Sequence, residues 1–140
     1  MTEISADILE KMKNAAMGAQ KNAYCPYSDH PVGTAVLDEQ GRIFGGCNVE
    51  TAHFKGVCAE ASAISAMVTA GGKKLQAVFI TAPDENLCGP CGDCRQRLYE
   101  FATADMPIYA ATKSGNVKKI LTLEELLPYA FGPENIPPRG

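Results

Sequence analysis

Residues 77–94, AVFITAPDENLCGPCGDC, carry the reading on which the fold turns. The run Ala77-Val78-Phe79-Ile80-Thr81 is apolar without alternation, as a strand covered on both faces must be. Pro83 and Gly89 interrupt the chain after it, and a helix is expected from about Cys91 to Ala102. The same alternation of strand and helix recurs on either side. Ala59 to Ala70, rich in Ala, Met and Ile and stopped by Gly71-Gly72, predicts a helix opening at Cys58. Ile108 to Ala111 predicts a strand, Lys113-Ser114-Gly115-Asn116 a turn, Val117 to Leu121 a last strand, and Leu123 to Leu127 a short acidic helix. Nearer the start, Val32 to Leu37 and Arg42 to Cys47 predict a hairpin joined by Asp38-Glu39-Gln40-Gly41. Ser5 can cap a first helix with an apolar face of Ile8, Leu9, Met12, Ala15, Ala16 and Ala19, which ends before Tyr24-Cys25-Pro26-Tyr27. Strands alternating with helices imply an α/β fold whose sheet is covered on both faces. One domain is expected over residues 1–140, with an irregular tail from about Pro133.

Thirteen Lys and Arg stand against 16 Asp and Glu, a net charge of -3, and no basic cluster exceeds a Lys-Lys pair. A nucleic-acid backbone would find no electrostatic footprint here, so a small molecule is the expected partner and no nucleic acid. No stretch is long and apolar enough to span a bilayer, so no membrane partner and a cytoplasmic location are expected. In such a compartment six cysteines point to metal or catalysis more than to disulfides.

Cys58 opens one expected helix, and Cys91 opens another with Cys94 one turn on. Three thiolates around zinc leave a fourth position for water, and Glu60, two residues after the first thiol, can accept and hand on that water's proton. The partial positive charge of the helix starts is expected to favour the ionised thiols. Other readings stay open at this level. Cys88, Cys91 and Cys94 recur every three residues and with Cys58 could close a four-thiolate structural site, and Cys-x-x-Cys alone also suits redox chemistry.

Several segments together carry a family resemblance: Tyr24-Cys25-Pro26-Tyr27-Ser28, Val32-Gly33-Thr34-Ala35, Gly46-Cys47-Asn48-Val49-Glu50, Cys58-Ala59-Glu60, Pro90-Cys91-Gly92-Asp93-Cys94-Arg95-Gln96 and Glu125-Leu126-Leu127-Pro128. Over nearly its whole length the chain resembles the small homotetrameric cytidine deaminases. The resemblance implies a three-layer fold around a mixed five-stranded sheet, zinc held by Cys58, Cys91 and Cys94, and Glu60 as proton shuttle. It implies hydrolysis of cytidine or deoxycytidine at C4 to the uracil nucleoside and ammonia, with modified cytosine nucleosides as further candidates. By the same carry-over Asn48 and Glu50 would bind the ribose hydroxyls from one strand face, and the Ala59 N–H would hold the O2 side of the base. Phe131 would reach into the active site of a neighbouring subunit of a homotetramer.

The departures from that pattern bear on substrate and charge. The family usually has Arg after its Cys-x-Glu, where this chain has Ala61, so Arg95 and the helix ends are expected to offset the thiolates. His30 stands where the family commonly has an aromatic residue against the pyrimidine, and can stack on the base or hydrogen-bond it. His53-Phe54, Gly56 and the missing Arg are similar instead to the blasticidin-S deaminases, which act on a bulkier cytosine nucleoside but usually lack the acid corresponding to Glu50. A zinc-stabilised nucleoside-binding protein without turnover is the non-enzymatic alternative.

Overall fold

The computed structural model describes residues 3–138. Helix α1 (Ala6–Gln20) starts where the Ser5 side chain accepts from the Ile8 N–H at 3.3 Å. A hairpin follows, β1 (Gly33–Asp38) and β2 (Ile43–Cys47), and then α2 (Ala59–Thr69). Strand β3 (Leu75–Thr81) leads into α3 (Gly92–Phe101), and β4 (Pro107–Ala111), β5 (Val117–Thr122) and α4 (Leu123–Leu126) complete the sequence of main elements. Thr122 and Glu125 form a reciprocal cap on α4. Residues 133–135, expected to be irregular, form one turn of 3-10 helix, with the Gly132 N–H bonded to Asn135 Oδ1 at 2.9 Å.

The strands form one mixed sheet in the order β2-β1-β3-β4-β5. β1 is antiparallel to both β2 and β3, β3 runs parallel to β4 with α3 between them, and β5 returns antiparallel to β4. Alternate side chains divide the core into two. Val36, Val78, Ile80 and Ile108 pack with Ala63, Met67, Leu98 and Leu123 of α2, α3 and α4. Ala35, Leu37, Ala77, Phe79 and Tyr109 pack with Met12 and Ala16 of α1 on the other face. The result is three layers, and β3 is buried at six of its seven positions, which is why its sequence is a continuous apolar run.

Two glycines set how closely the helices lie on the sheet. A Cβ at Gly33 would meet the Ala16 carbonyl oxygen of α1 at 2.0 Å, and one at Gly46 would meet the Ala63 backbone nitrogen of α2 at 2.4 Å. The hairpin turn is held by the fully buried Asp38, whose carboxylate accepts from the N–H groups of Gln40 and Arg42 and from Arg42 Nε, at 3.0, 2.8 and 2.8 Å. Burial by itself would raise the Asp38 pKa, but these donors hold it below the usual carboxylate range. No helix among the described residues is long and apolar enough to cross a membrane.

Candidate active site

The starts of α2 and α3 meet at Cys58 and Cys91, and both helices pack on one core through Ala59 and Leu98. Cys58 is the N-cap of α2 and Cys91 the N-cap of α3, neither with a side-chain cap bond, and Cys94 lies in the first turn of α3. The three sulfurs lie within 4.8 Å of one another, and Cys58 Sγ is 3.7 Å from Cys91 Sγ. Zinc–sulfur bonds of about 2.3 Å at tetrahedral angles place two sulfurs about 3.8 Å apart, which the Cys58–Cys91 pair matches. Cys94 is fully buried, Cys58 half-buried and Cys91 exposed. Cys88 is not in this triangle. Its sulfur lies 4.0 Å from His30 Nε2, so the grouping favours three thiols over four.

Without a cation the thiols do not ionise as the helix starts alone suggested. Burial pushes the Cys58 thiol up to about 11, with the charges of Cys91 and Glu60 adding to the shift. Burial and the Glu60 charge push Cys94 up further. Desolvation therefore outweighs the helix ends at both positions, and a bound cation is what favours the thiolate form.

Glu60, in the first turn of α2, is only 5% exposed, and its Oε1 accepts from the Thr34 hydroxyl at 3.4 Å. It lines a cavity of about 260 Å³ together with Cys58, Ala59, Cys91, His30 and Asn48, with Val32, Cys88 and Gly89 closing the wall. Four of the residues singled out in the sequence, His30, Asn48, Ala59 and Glu60, thus share one hollow with two of the sulfurs. Ala59 is the first residue of α2, so its N–H has no intrahelical acceptor. The Asn48 side chain braces the rim, donating from Nδ2 to the His30 carbonyl at 2.9 Å and accepting from the Val32 N–H at 2.9 Å.

Glu50 is placed differently from the expectation of a shared strand face. β2 ends at Cys47, and Val49 forms single bridges to Tyr24 and Val57, so Asn48 and Glu50 lie beyond the strand. Glu50 lines a neighbouring cleft of about 350 Å³ with Tyr27, Ser28 and Phe54. Its carboxylate accepts from the Ser28 hydroxyl and from the N–H groups of Ser28 and Tyr27, each N–H at 3.0 Å. The bonds from Ser28 lead the causes that hold Glu50 below the usual range. Phe131 lies apart from both hollows and is 61% exposed, with its carbonyl bonded to Gln96 Nε2 at 2.7 Å, so its ring fills no core of its own chain. From sequence, Val32 and Thr34 belonged only to an expected strand and a segment that carries the family resemblance, and Cys88 was considered only as a fourth thiolate; none was expected in the wall or floor of this cavity. A hydroxyl at Thr34 in a strand buried along its whole length was the available signal.

An acid buried beside three metal-spaced sulfurs, at the bottom of a small cavity on an α/β sheet, marks a metal-dependent hydrolase. Residues 6–110 match the model of the cytidine and deoxycytidylate deaminase zinc-binding region. The chain is 37% identical over 129 residues to the cytidine deaminase of Sporosarcina psychrophila, covering 91% of this chain and 94% of that protein. It is 34% identical over 127 residues to the cytidine deaminase of Mycobacterium tuberculosis, covering 90% and 91% of the two. The crystal structure of cytidine deaminase from Burkholderia pseudomallei is similar at a TM-score of 0.81 and 31% identity, over 94% of this chain and 100% of that one. The chain belongs to the zinc-binding cytidine and deoxycytidylate deaminase family.

Proposed function

We propose that this chain, as a single domain, hydrolyses cytidine and deoxycytidine to the uracil nucleoside and ammonia. The observation that carries the reading is Glu60, buried beside the Cys58, Cys91 and Cys94 sulfurs in the cavity that Asn48 and His30 close. Zinc, held by those three cysteines, supplies the acidity that makes water a nucleophile near neutral pH. Glu60 takes one proton from the attacking water and delivers it to N3 of the cytosine as oxygen adds at C4; it then takes the second proton from the new C4 hydroxyl and passes it to the amine, so that the C4–N bond breaks, the C4 carbonyl forms and ammonia leaves. The Ala59 N–H holds the O2 side of the base, His30 lies against the ring, and Asn48 and Glu50 hold the sugar hydroxyls.

The exposed ring of Phe131 supports a second part of the proposal, that the active unit is a homotetramer in which Phe131 completes a neighbour's site. The acidic balance supports a free nucleoside rather than a nucleic acid as substrate. Glu60→Gln tests the chemistry: turnover followed by loss of ultraviolet absorbance should fall by about 10²–10⁴-fold while zinc content stays. Unchanged turnover would remove Glu60 from the mechanism. Comparing cytidine, deoxycytidine and blasticidin S at equal enzyme tests the substrate. Dilution tests the shared site, since specific activity should fall as subunits separate and Phe131→Ala should lower activity without lowering zinc content.

A further inference from the structure

With C4 of a cytosine at the triangle of sulfurs, N3 at Glu60 and O2 at the Ala59 N–H, a flat ring has one edge held by the first turn of α2. The C5–C6 bond lies opposite C2 and N3 in that ring, so it faces away from α2, toward the chain that enters α3 at Cys91. Cys88 and Gly89 are the residues of that entering chain that line the cavity, and of the two only Cys88 brings a side chain. Val32, on the remaining wall, is buried in the core against α2 and gives its N–H to Asn48 Oδ1 at 2.9 Å, on the sugar side. Cys88 is half-buried, and its sulfur lies 4.0 Å from Nε2 of His30, the residue set against the ring face, and 3.9 Å from the Gly89 carbonyl oxygen. Contacts this long leave the thiol to act as small apolar bulk at the corner where the face and the C5 edge of the base meet.

We propose that Cys88 is a specificity-determining residue, the wall that sets how large a group the site admits at C5 of the cytosine. The inference rests on the deaminase reading above and narrows its substrates to cytosine nucleosides that are bare at C5 or carry a small apolar group there. Misfit by one methylene against such a wall changes kcat/KM by about 10–200-fold.

The test is the ratio of kcat/KM for 5-methylcytidine to that for cytidine, compared across variants so that the methyl group's electronic effect on C4 cancels. Cys88→Leu should lower the ratio about tenfold or more, and Cys88→Ser, close to cysteine in size, should hold it within about twofold. Cys88→Ala should raise the matching ratio for 5-iodocytidine about threefold or more. The ratio of deoxycytidine to cytidine, which reads the sugar side, should stay put in all three. Calorimetric binding of the products, uridine and 5-methyluridine, makes the same comparison without turnover. A Cys88→Leu protein that weakens cytidine and 5-methylcytidine alike overturns the proposal, as does a Cys88→Ser protein as selective as Cys88→Leu or a sugar ratio that shifts as far as the C5 ratio. Should Cys88→Leu fail to fold, Cys88→Ala decides, and a 5-iodocytidine ratio equal to wild type overturns the proposal. A wild type that converts neither cytidine nor deoxycytidine would overturn the deaminase reading itself, whereas turnover with C5 ratios blind to Cys88 overturns this inference alone.

Discussion

Replacing Gly46 with Ala adds one methyl group, yet it should impair both stability and catalysis. Gly46 lies in β2 opposite Thr34 of β1, and a Cβ there would meet the Ala63 nitrogen at 2.4 Å, the Ala59 carbonyl oxygen at 2.7 Å and the Ala63 Cα at 2.9 Å. All three are backbone atoms of α2, so no side chain can swing aside. Restoring ordinary contact, which begins near 3.4 Å, requires α2 to retreat from the sheet by about 1 Å. Overpacking of this kind costs about 1–3 kcal/mol, and for a chain of this length lowers the thermal midpoint by on the order of 5–10 °C. The retreating helix carries Cys58 at its cap and Glu60 in its first turn, and a displacement of about 1 Å at a reacting group costs about 10²-fold in rate. Differential scanning calorimetry and kcat/KM for cytidine measure the two effects. Gly18→Ala, where a Cβ meets nothing within 4 Å, is the control. A Gly46→Ala protein that melts within about 1 °C of wild type with unchanged kcat/KM would refute the claim that this close approach positions the site.

Asp38→Asn should lower the thermal midpoint by about 5 °C or more, because it leaves the Arg42 guanidinium beside an uncharged partner. Since the folded Asp38 pKa lies below its unfolded value, its contribution is present above the ordinary carboxylate pKa and is lost as pH falls through the folded one. Acid melts below about pH 4 should therefore be steeper for wild type than for Asp38→Asn. Zinc uptake by the metal-free protein at pH 7 should expel the protons of Cys58 and Cys94, whose thiols burial pushes up, giving at least two protons per chain by indicator dye. Zinc affinity should rise steeply with pH for the same reason.

Most of the architecture was legible because the sequence punctuates it. Ser5, Gly71-Gly72 and the apolar run at β3 each mark a boundary by local chemistry, and the structure moves the element ends by only a residue or two. Leu75 and Pro107 joined their strands unannounced, since pairing with neighbours extends a strand beyond its apolar pattern. The triangle of Cys58, Cys91 and Cys94 was legible through ligand spacing at two helix starts. Its thiol energetics were not, because burial is a property of the packed site and reverses what a helix end alone suggests. Nor could the sequence separate Asn48 from Glu50. Residues of like polarity two apart resemble one face of a strand until the strand ends at Cys47. The contact of Thr34 with Glu60 was not legible because a β-branched hydroxyl suits any strand, and only the fold brings Glu60 to it.

The two helices that carry the metal begin on cysteine, where a serine or aspartate would ordinarily tie down the first free N–H groups, and neither sulfur makes that bond. Anchoring of both helix starts is thereby handed to a nutrient from outside the chain. Loss of zinc would leave both starts untied together and lower the stability that resists proteolysis. The lifetime of the polypeptide would then follow the supply of the ion it needs for work.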